Sequence, residues 1–177
     1  MRTILMGALW LALVAPGAGA QQAAMPDAYR QTQMKMLALQ RSMLLAMADS
    51  MPEALYRDKA TPEQRDFAQQ LQHCALAMAF LGVRYMGGER PALPDTAVAL
   101  NSRAGLKQYI NATFDYAAER LKTQSAESRA EAVEFFGQTI PRWQVWDELH
   151  QHTIWTAGQV VANFRKHGMA PPGFGFF

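Results

Sequence analysis

Cysteine is nearly absent from this chain, because Cys74 is the only one among 177 residues. An intrachain disulfide is therefore excluded, and the cysteine spacing of zinc fingers is missing. The sequence also lacks the glycine-rich loops that bind phosphate and the Gly-x-Ser-x-Gly turn that presents a catalytic serine. The sequence therefore gives no indication of a nucleotide-binding protein or of a serine hydrolase.

Charge of either sign is sparse as well. The chain has 17 basic and 15 acidic residues, which together make up 18% of its length. No basic run alternates with aromatic residues, as nucleic-acid-binding surfaces require. We therefore expect no nucleic-acid partner.

The first twenty residues predict export. Arg2 precedes an apolar run from Ile4 to Ala15, and the small residues Ala18-Gly19-Ala20 stand before Gln21. This is the pattern of a cleaved secretory signal peptide, too short for a membrane span. We expect residues 21–177 to form one domain, secreted or periplasmic, with no stable membrane insertion after cleavage. An uncleaved N-terminal anchor is the alternative.

Hydrophobic periodicity predicts helices along the rest of the chain and no convincing strand. Methionine and leucine recur at helical spacing from Pro26 to Met51. Thr61, with Pro62 and Gln64 after it, has the pattern of a capping box that opens a second helix, about Pro62 to Met86.

Further helices are predicted in the second half of the chain. Residues 88–100 are predicted to be a loop, and Ser102 is suited to cap a third helix that runs to Thr123. A short helix is expected from Ala130 to Phe136, and a long last helix from Pro141 to the stop signal at Gly168. Four long helices with modest connections predict an all-α fold, a four-helix bundle.

The second helix has two apolar faces. One contains Phe67, Leu71, Cys74, Met78, Leu81 and Tyr85, and the other contains Gln69, His73, Leu76 and Phe80. Such a helix is expected to be covered by neighbours on both sides. Cys74 then belongs to the core, where its thiol is shielded, and this interpretation is preferred to a reactive nucleophile.

The last helix carries two histidines that cannot share one ligand. At 100° per residue, His152, Thr156 and Gln159 fall along one edge, whereas His150 points roughly 160° away from His152. Only one of the two histidines can therefore belong to a site. His150 and His167 are interpreted as ordinary polar residues, and His167 suits a helix C-terminus.

Several short motifs, in order, resemble the DinB superfamily of DinB-like and YfiT-like metalloenzymes. The similarity covers most of residues 21–177. The motifs are Met51-Pro52-Glu53 with Tyr56, Ala60 to Arg65, Leu71-Gln72-His73 with Ala75, Phe80 and Gly87, Leu106-Lys107 through Phe114-Asp115-Tyr116, Pro141-Arg142-Trp143, His152, Gly158-Gln159, Arg165, Gly168 and Pro171-Pro172. The resemblance implies a four-helix bundle of the DinB kind.

The resemblance also implies a metal site. The family pattern has one histidine on the second helix and two on the fourth, four residues apart, the second lying two positions before the Gly-Gln pair. His73 and His152 match, whereas the third position is Thr156. A hydroxyl is a poor ligand for a transition metal, so the triad is incomplete. Glu148, four residues before His152, is the candidate substitute ligand.

Two function hypotheses follow. The first is an exported metal-dependent enzyme, of hydrolase or thiol-transferase type, that binds Zn, Ni or Mn weakly and acts on an unidentified small molecule. The second is a non-catalytic periplasmic binding or interaction bundle that has lost its metal site. The sequence leaves the oligomeric state open, and a homodimer is one option.

Overall fold

The structure of the protein, a computed structural model, describes residues 27–173 and 175, so the predicted signal peptide lies outside the described residues. These residues are mostly helical, as predicted. The elements in chain order are α1 (Asp27–Ser50), a 3₁₀ turn (Glu53–Leu55), α2 (Phe67–Tyr85), α3 (Thr96–Asn101), α4 (Arg103–Thr123), α5 (Ala126–Ala130), β1 (Ala132–Phe135), β2 (Gln138–Pro141), α6 (Gln144–Gly158) and α7 (Val161–Lys166).

The hydrophobic core lies between α1, α2, α4 and α6. Helix α2 packs against α4 and α6, and α1 packs against the same two helices. Large apolar side chains buried at these contacts include Trp146, Tyr109, Phe67, Phe114, Leu44 and Met78. Each such side chain stabilises the fold by roughly 1.5–3 kcal/mol. Among residues 27–173, no helix is both long and apolar enough to cross a bilayer.

Helix α2 begins five residues later than the sequence predicts. Asp66 is its N-cap: the Gln69 backbone N–H donates to the Asp66 carboxylate at 2.8 Å, and the Asp66 N–H donates to the Gln69 side chain at 3.1 Å. The capping box predicted at Thr61 is therefore wrong. Both segments match the motif, but the buried Asp66 carboxylate also pairs with Arg57 at 2.8 Å, which fixes the helix start there.

The predicted cap of α4 is confirmed, whereas the loop before it is partly helical. The Gly105 N–H donates to the Ser102 hydroxyl at 3.0 Å. Within residues 88–100, which were predicted to be a loop, Asp95 caps the short helix α3 by accepting from the Ala97 N–H at 2.6 Å. A side-chain acceptor at a helix start satisfies backbone donors that have no partner inside the helix.

The predicted helix from Ala130 to Phe136 is wrong, and so is the expectation of no strand. Strands β1 and β2 form an antiparallel hairpin in which Val133 faces Ile140 and Phe135 faces Gln138. Phe136 and Gly137 make the two-residue turn, with φ angles of +47° and +86°. Positive φ at both central positions is what a type I′ hairpin turn needs, and glycine provides it without strain.

The last helix is shorter than predicted and is interrupted. Pro141 ends β2, so α6 begins only at Gln144. The chain tightens after Gly158, where the Val160 N–H donates to the Ala157 carbonyl at 3.0 Å, and α7 follows. The stop signal is confirmed, because Gly168 has φ +67° directly after the C-cap of α7.

Candidate functional site

His73 on α2 and His152 on α6 face each other. Their ring centroids are 5.4 Å apart, with the planes 70° from parallel. Two contacts set this alignment: the Gln70 side-chain amide donates to the Thr156 carbonyl at 3.1 Å, and the Cys74 thiol donates to the Thr153 carbonyl at 3.5 Å. The family pattern, which assigns His73 and His152 to one site, predicts that these two rings approach each other, and this is confirmed.

Cys74 lies in the core behind the histidine pair. Its side chain is completely buried, and burial raises the pKa of the thiol to about 12. A thiol with such a pKa is protonated and unreactive at neutral pH. Its interpretation as a core residue is therefore confirmed.

Thr156 contacts the ring of His152. Its hydroxyl lies 3.3 Å from Nε2 of His152, while the buried Nδ1 of that ring has no hydrogen-bond partner among the described residues. Thr156 is buried and does not line the open cleft described below. The position that carries histidine in the family pattern therefore supplies one weak hydrogen bond to His152.

His150 points away from the pair, as predicted, but it is not an ordinary surface residue. It is buried against α1, with Nδ1 at 2.8 Å from the Gln40 side-chain oxygen. The Gln40 amide also donates to the His150 carbonyl at 3.2 Å. Burial lowers the pKa of His150 to about 4, so the ring is neutral at physiological pH. His167 instead contacts Asp58, at 2.7 Å.

The histidine pair lies in a positive environment. Burial is the main cause that lowers the pKa of both His73 and His152, and the charge of Arg65 adds to it. His152 also contributes to the lowered pKa of His73. Both imidazoles are therefore neutral at pH 7, with lone pairs that can accept hydrogen bonds or coordinate a cation.

The donor set does not fit a tight catalytic metal centre. His73 and His152 provide two nitrogens, and Thr156 provides a neutral hydroxyl already turned to His152. Across residues 27–173, no three His, Cys, Asp or Glu side chains gather closely enough to hold an ion, so Glu148 does not complete the set in this arrangement. Catalytic zinc sites use three protein ligands. Metal binding at these positions stays a prediction.

A large open cleft extends from the histidine pair along α2 and α6. Its volume is about 1190 Å³. The hairpin and the segment after α2 form its other side. The large apolar residues at its surface, each more than one-third exposed, are Leu76, Phe80, Val83, Phe136 and Trp155. They account for most of the exposed large hydrophobic side chains among the described residues.

The cleft explains why the second apolar face of α2 was misjudged. That face was expected to pack against a neighbouring helix, and this prediction is wrong. Leu76 is 37% exposed and Phe80 is 48% exposed, and both line the cleft next to His73. The helices that cover the first face leave the second one open.

Charged and polar groups are few in the cleft. Arg84, Arg90, Glu148 and Gln151 line it together with the two histidines. The Arg84 Nε–H donates to the Tyr85 hydroxyl at 2.9 Å, and its guanidinium lies 5.4 Å from the centroid of that ring. Neither Arg84 nor Arg90 pairs with a carboxylate among the described residues. Two arginines and one glutamate thus leave the cleft with a net positive charge.

The sequence arguments missed Phe136, Trp155 and Arg90 as site residues. Trp155 is 76% exposed in the middle of α6, and its position in the sequence did not single it out. A signal for Phe136 existed, because the alternation of Val133 and Phe135 before Phe136-Gly137 is typical of a hairpin. No periodicity identifies the arginine.

The folded chain is thus a mostly helical protein with an apolar cleft that ends at two imidazoles. The model of the DinB superfamily matches residues 36–150, about two-thirds of the chain, and the protein belongs to that superfamily. The match includes His73, Glu148 and His150 and ends just before His152. No curated protein shows a significant sequence match to the chain.

Proposed function

We propose that this protein is an exported DinB-superfamily four-helix bundle that binds a small apolar molecule carrying an anionic group. In this proposal it is a binding protein without a tight catalytic metal. The observation that carries the proposal is the group of exposed apolar side chains around one cleft. The packing of α1, α2, α4 and α6 around one core supports the bundle.

Exposed apolar side chains collected at one place indicate a surface that something covers. Soluble proteins rarely leave large contiguous apolar patches open without a binding role. The cleft, at about 1190 Å³, lies just above the size range of typical small-molecule pockets. Trp155 alone gives a ligand a large apolar surface, since 76% of it is exposed.

The charge of the cleft favours an anionic group on the ligand. Arg84 and Arg90 line it without a carboxylate partner among the described residues. An arginine can donate two parallel hydrogen bonds to a carboxylate or sulfonate. Glu148, on α6, also lines the cleft and can accept a hydrogen bond from a donor group of the ligand.

Binding is tested with anilinonaphthalene sulfonate, a fluorescent probe that combines fused rings with one negative charge. We expect Trp155→Ala to weaken binding about fivefold or more, because it removes roughly 1–2 kcal/mol of apolar contact. Ile154→Ala is the matched control: Ile154 is the neighbouring exposed residue on α6, and it does not line the cleft. Equal effects of the two substitutions would contradict the proposal.

A second copy of the chain is the competing occupant of the cleft. Sedimentation at several concentrations distinguishes the two. A monomer that binds the probe supports the proposal. A dimer that Trp155→Ala dissociates, and that excludes the probe, would overturn it in favour of a homodimer interface.

The second candidate is a weakly metal-dependent enzyme of hydrolase or thiol-transferase type. The approach of His73 and His152 to 5.4 Å between ring centroids favours it. When bound, Zn, Ni or Mn would polarise a substrate or activate water. The metal content of protein purified without chelator, compared with that of His73→Ala, tests this. Stoichiometric metal lost in the variant would favour the enzyme over the binding protein.

Export is tested by N-terminal sequencing. The Ala18-Gly19-Ala20 pattern supports cleavage before Gln21. A mature protein that begins at Met1 would contradict the proposed signal peptide, without bearing on the cleft.

A further inference from the structure

Phe136 occupies a backbone conformation that suits other residues better. It is the first residue of the hairpin turn, with φ +47°, in the left-handed region. A bulky side chain there is strained, whereas asparagine and glycine adopt this conformation readily. Asn-Gly is the preferred pair for such turns, and the chain has Phe136-Gly137 instead.

Packing of its own ring does not compensate for this strain. The Phe136 side chain is 74% exposed. Its ring meets Phe135 edge-on, with centroids 4.8 Å apart, and lies 6.4 Å from Tyr85. Most of the ring therefore faces solvent at the edge of the cleft, where it contributes little to the stability of the fold.

Positive charge lies beside this aromatic group. Tyr85 contacts Phe135, with ring centroids 5.0 Å apart. The guanidinium carbon of Arg84 lies 5.4 Å from the centroid of the Tyr85 ring. Phe136, Arg84 and Arg90 all line the same cleft. The cleft thus combines an aromatic surface with guanidinium groups that can bind an anion.

We propose that Phe136 contacts the ligand and selects a flat aromatic anion, with its ring against that of the ligand and the arginines at its negative group. This inference rests on the proposed binding function and adds the class of ligand. Two aromatic rings packed offset or edge-on attract each other beyond the effect of the area they bury, and an aliphatic chain lacks this extra attraction. The strained backbone places the ring where that contact is made.

Two probes of equal charge test the selectivity. Naphthoate and decanoate each carry one carboxylate and a similar number of carbon atoms, but only naphthoate is flat and aromatic. We expect wild type to bind naphthoate about three- to tenfold more tightly than decanoate. Phe136→Leu keeps the strained turn and an apolar side chain, and it should abolish this preference.

A second variant separates a binding role from a structural one. Phe136→Asn should relax the turn and raise the Tm by about 2–4 °C. It should at the same time weaken naphthoate binding about fivefold or more. A lower Tm would show that the ring serves the fold. An unchanged naphthoate affinity would show that the ring does not contact the ligand.

The outcomes distinguish this inference from the proposed function. If both probes bind through Trp155 and neither depends on Phe136, only the aromatic selectivity is overturned. If neither naphthoate, decanoate nor anilinonaphthalene sulfonate binds, both proposals fail.

Discussion

Helix α2 has two apolar faces with different surroundings. The face of Leu71, Cys74 and Met78 is completely buried against α4 and α6. The face of Leu76 and Phe80 lines an open cleft. The two faces look alike in the sequence, because the apolar residues of each recur at helical spacing. An apolar face predicts that something covers it, and the cover can be a ligand or partner as well as the same chain.

Helix α6 shows the same contrast with its two histidines. His150 is buried against α1 and bound to Gln40, whereas His152 meets His73 at the end of the cleft. Two residues of the same type, two positions apart, thus have different roles. One is a polar part of the core, and the other is available to a ligand.

Truncating one leucine from each face of α2 should give the largest difference. Leu71→Ala creates a cavity in the core and should lower the free energy of unfolding by about 2–5 kcal/mol. Leu76→Ala, the same change on the cleft face, should lower it by less than about 1 kcal/mol, because Leu76 is 37% exposed. Urea denaturation of both variants measures this, and equal losses would mean that the two faces are equally buried.

The buried histidine should make stability depend on pH. The pKa of His150 falls from 6.5 to about 4 on folding, which corresponds to at most about 3 kcal/mol. Between these values the unfolded chain binds more protons than the folded one, so stability is lost as the pH falls from about 6.5 towards 4.

Unfolding measured from pH 7 to pH 4.5 tests this expectation. His150→Gln removes the titrating group and should flatten the dependence, and its side chain can still bond to Gln40. His152→Gln is the control and should change the slope less, because His152 is only partly buried. A slope that His150→Gln leaves intact would assign the effect to another group.

Restoring the third histidine should convert the cleft end into a metal site. Thr156→His adds an imidazole four residues after His152, and we expect it to tighten Ni, Zn or Mn binding at least about tenfold. Adding His73→Ala should cancel the gain, since the ligands act as a set. Calorimetric titration compares the two variants with wild type. Equal affinity of wild type and Thr156→His would mean that another residue, such as Glu148, already supplies the ligand.

Arg90 should give the smallest effect. Arg90→Gln removes one exposed charge from the cleft and should weaken binding of anilinonaphthalene sulfonate about two- to fivefold, with an unchanged Tm. Arg90→Lys keeps the charge and is the control. The difference should shrink at high salt, because exposed charges are screened. A salt-independent loss would indicate a packing role for the side chain.

The helices were predictable wherever the sequence carries both a periodic face and a start or stop signal. Ser102 and Gly168 mark their helix ends correctly. Thr61 failed because Asp66, five residues later, carries the same motif and also pairs with Arg57. The hairpin failed because its strands are only four residues long, too short for period two to outweigh a helical interpretation.

The site was predictable only at its histidine end. The resemblance assigns His73 and His152 to one site, and the helical wheel excludes His150 from it. Together they place His73 beside His152. The cleft was not predictable, because it forms where no neighbouring helix covers the apolar faces of α2 and α6. Phe80 and Trp155 are apolar residues on helices, and only the arrangement of the whole chain decides that they stay exposed.

The cleft also depends on packing between helices that are far apart in the sequence. Cys74 and Thr153, which join α2 to α6 behind it, are 79 residues apart. Closing so long a segment costs chain entropy before any contact offsets it. A partly folded chain with α6 undocked therefore has no cleft. A ligand that needs the finished cleft therefore stabilises only the completed fold.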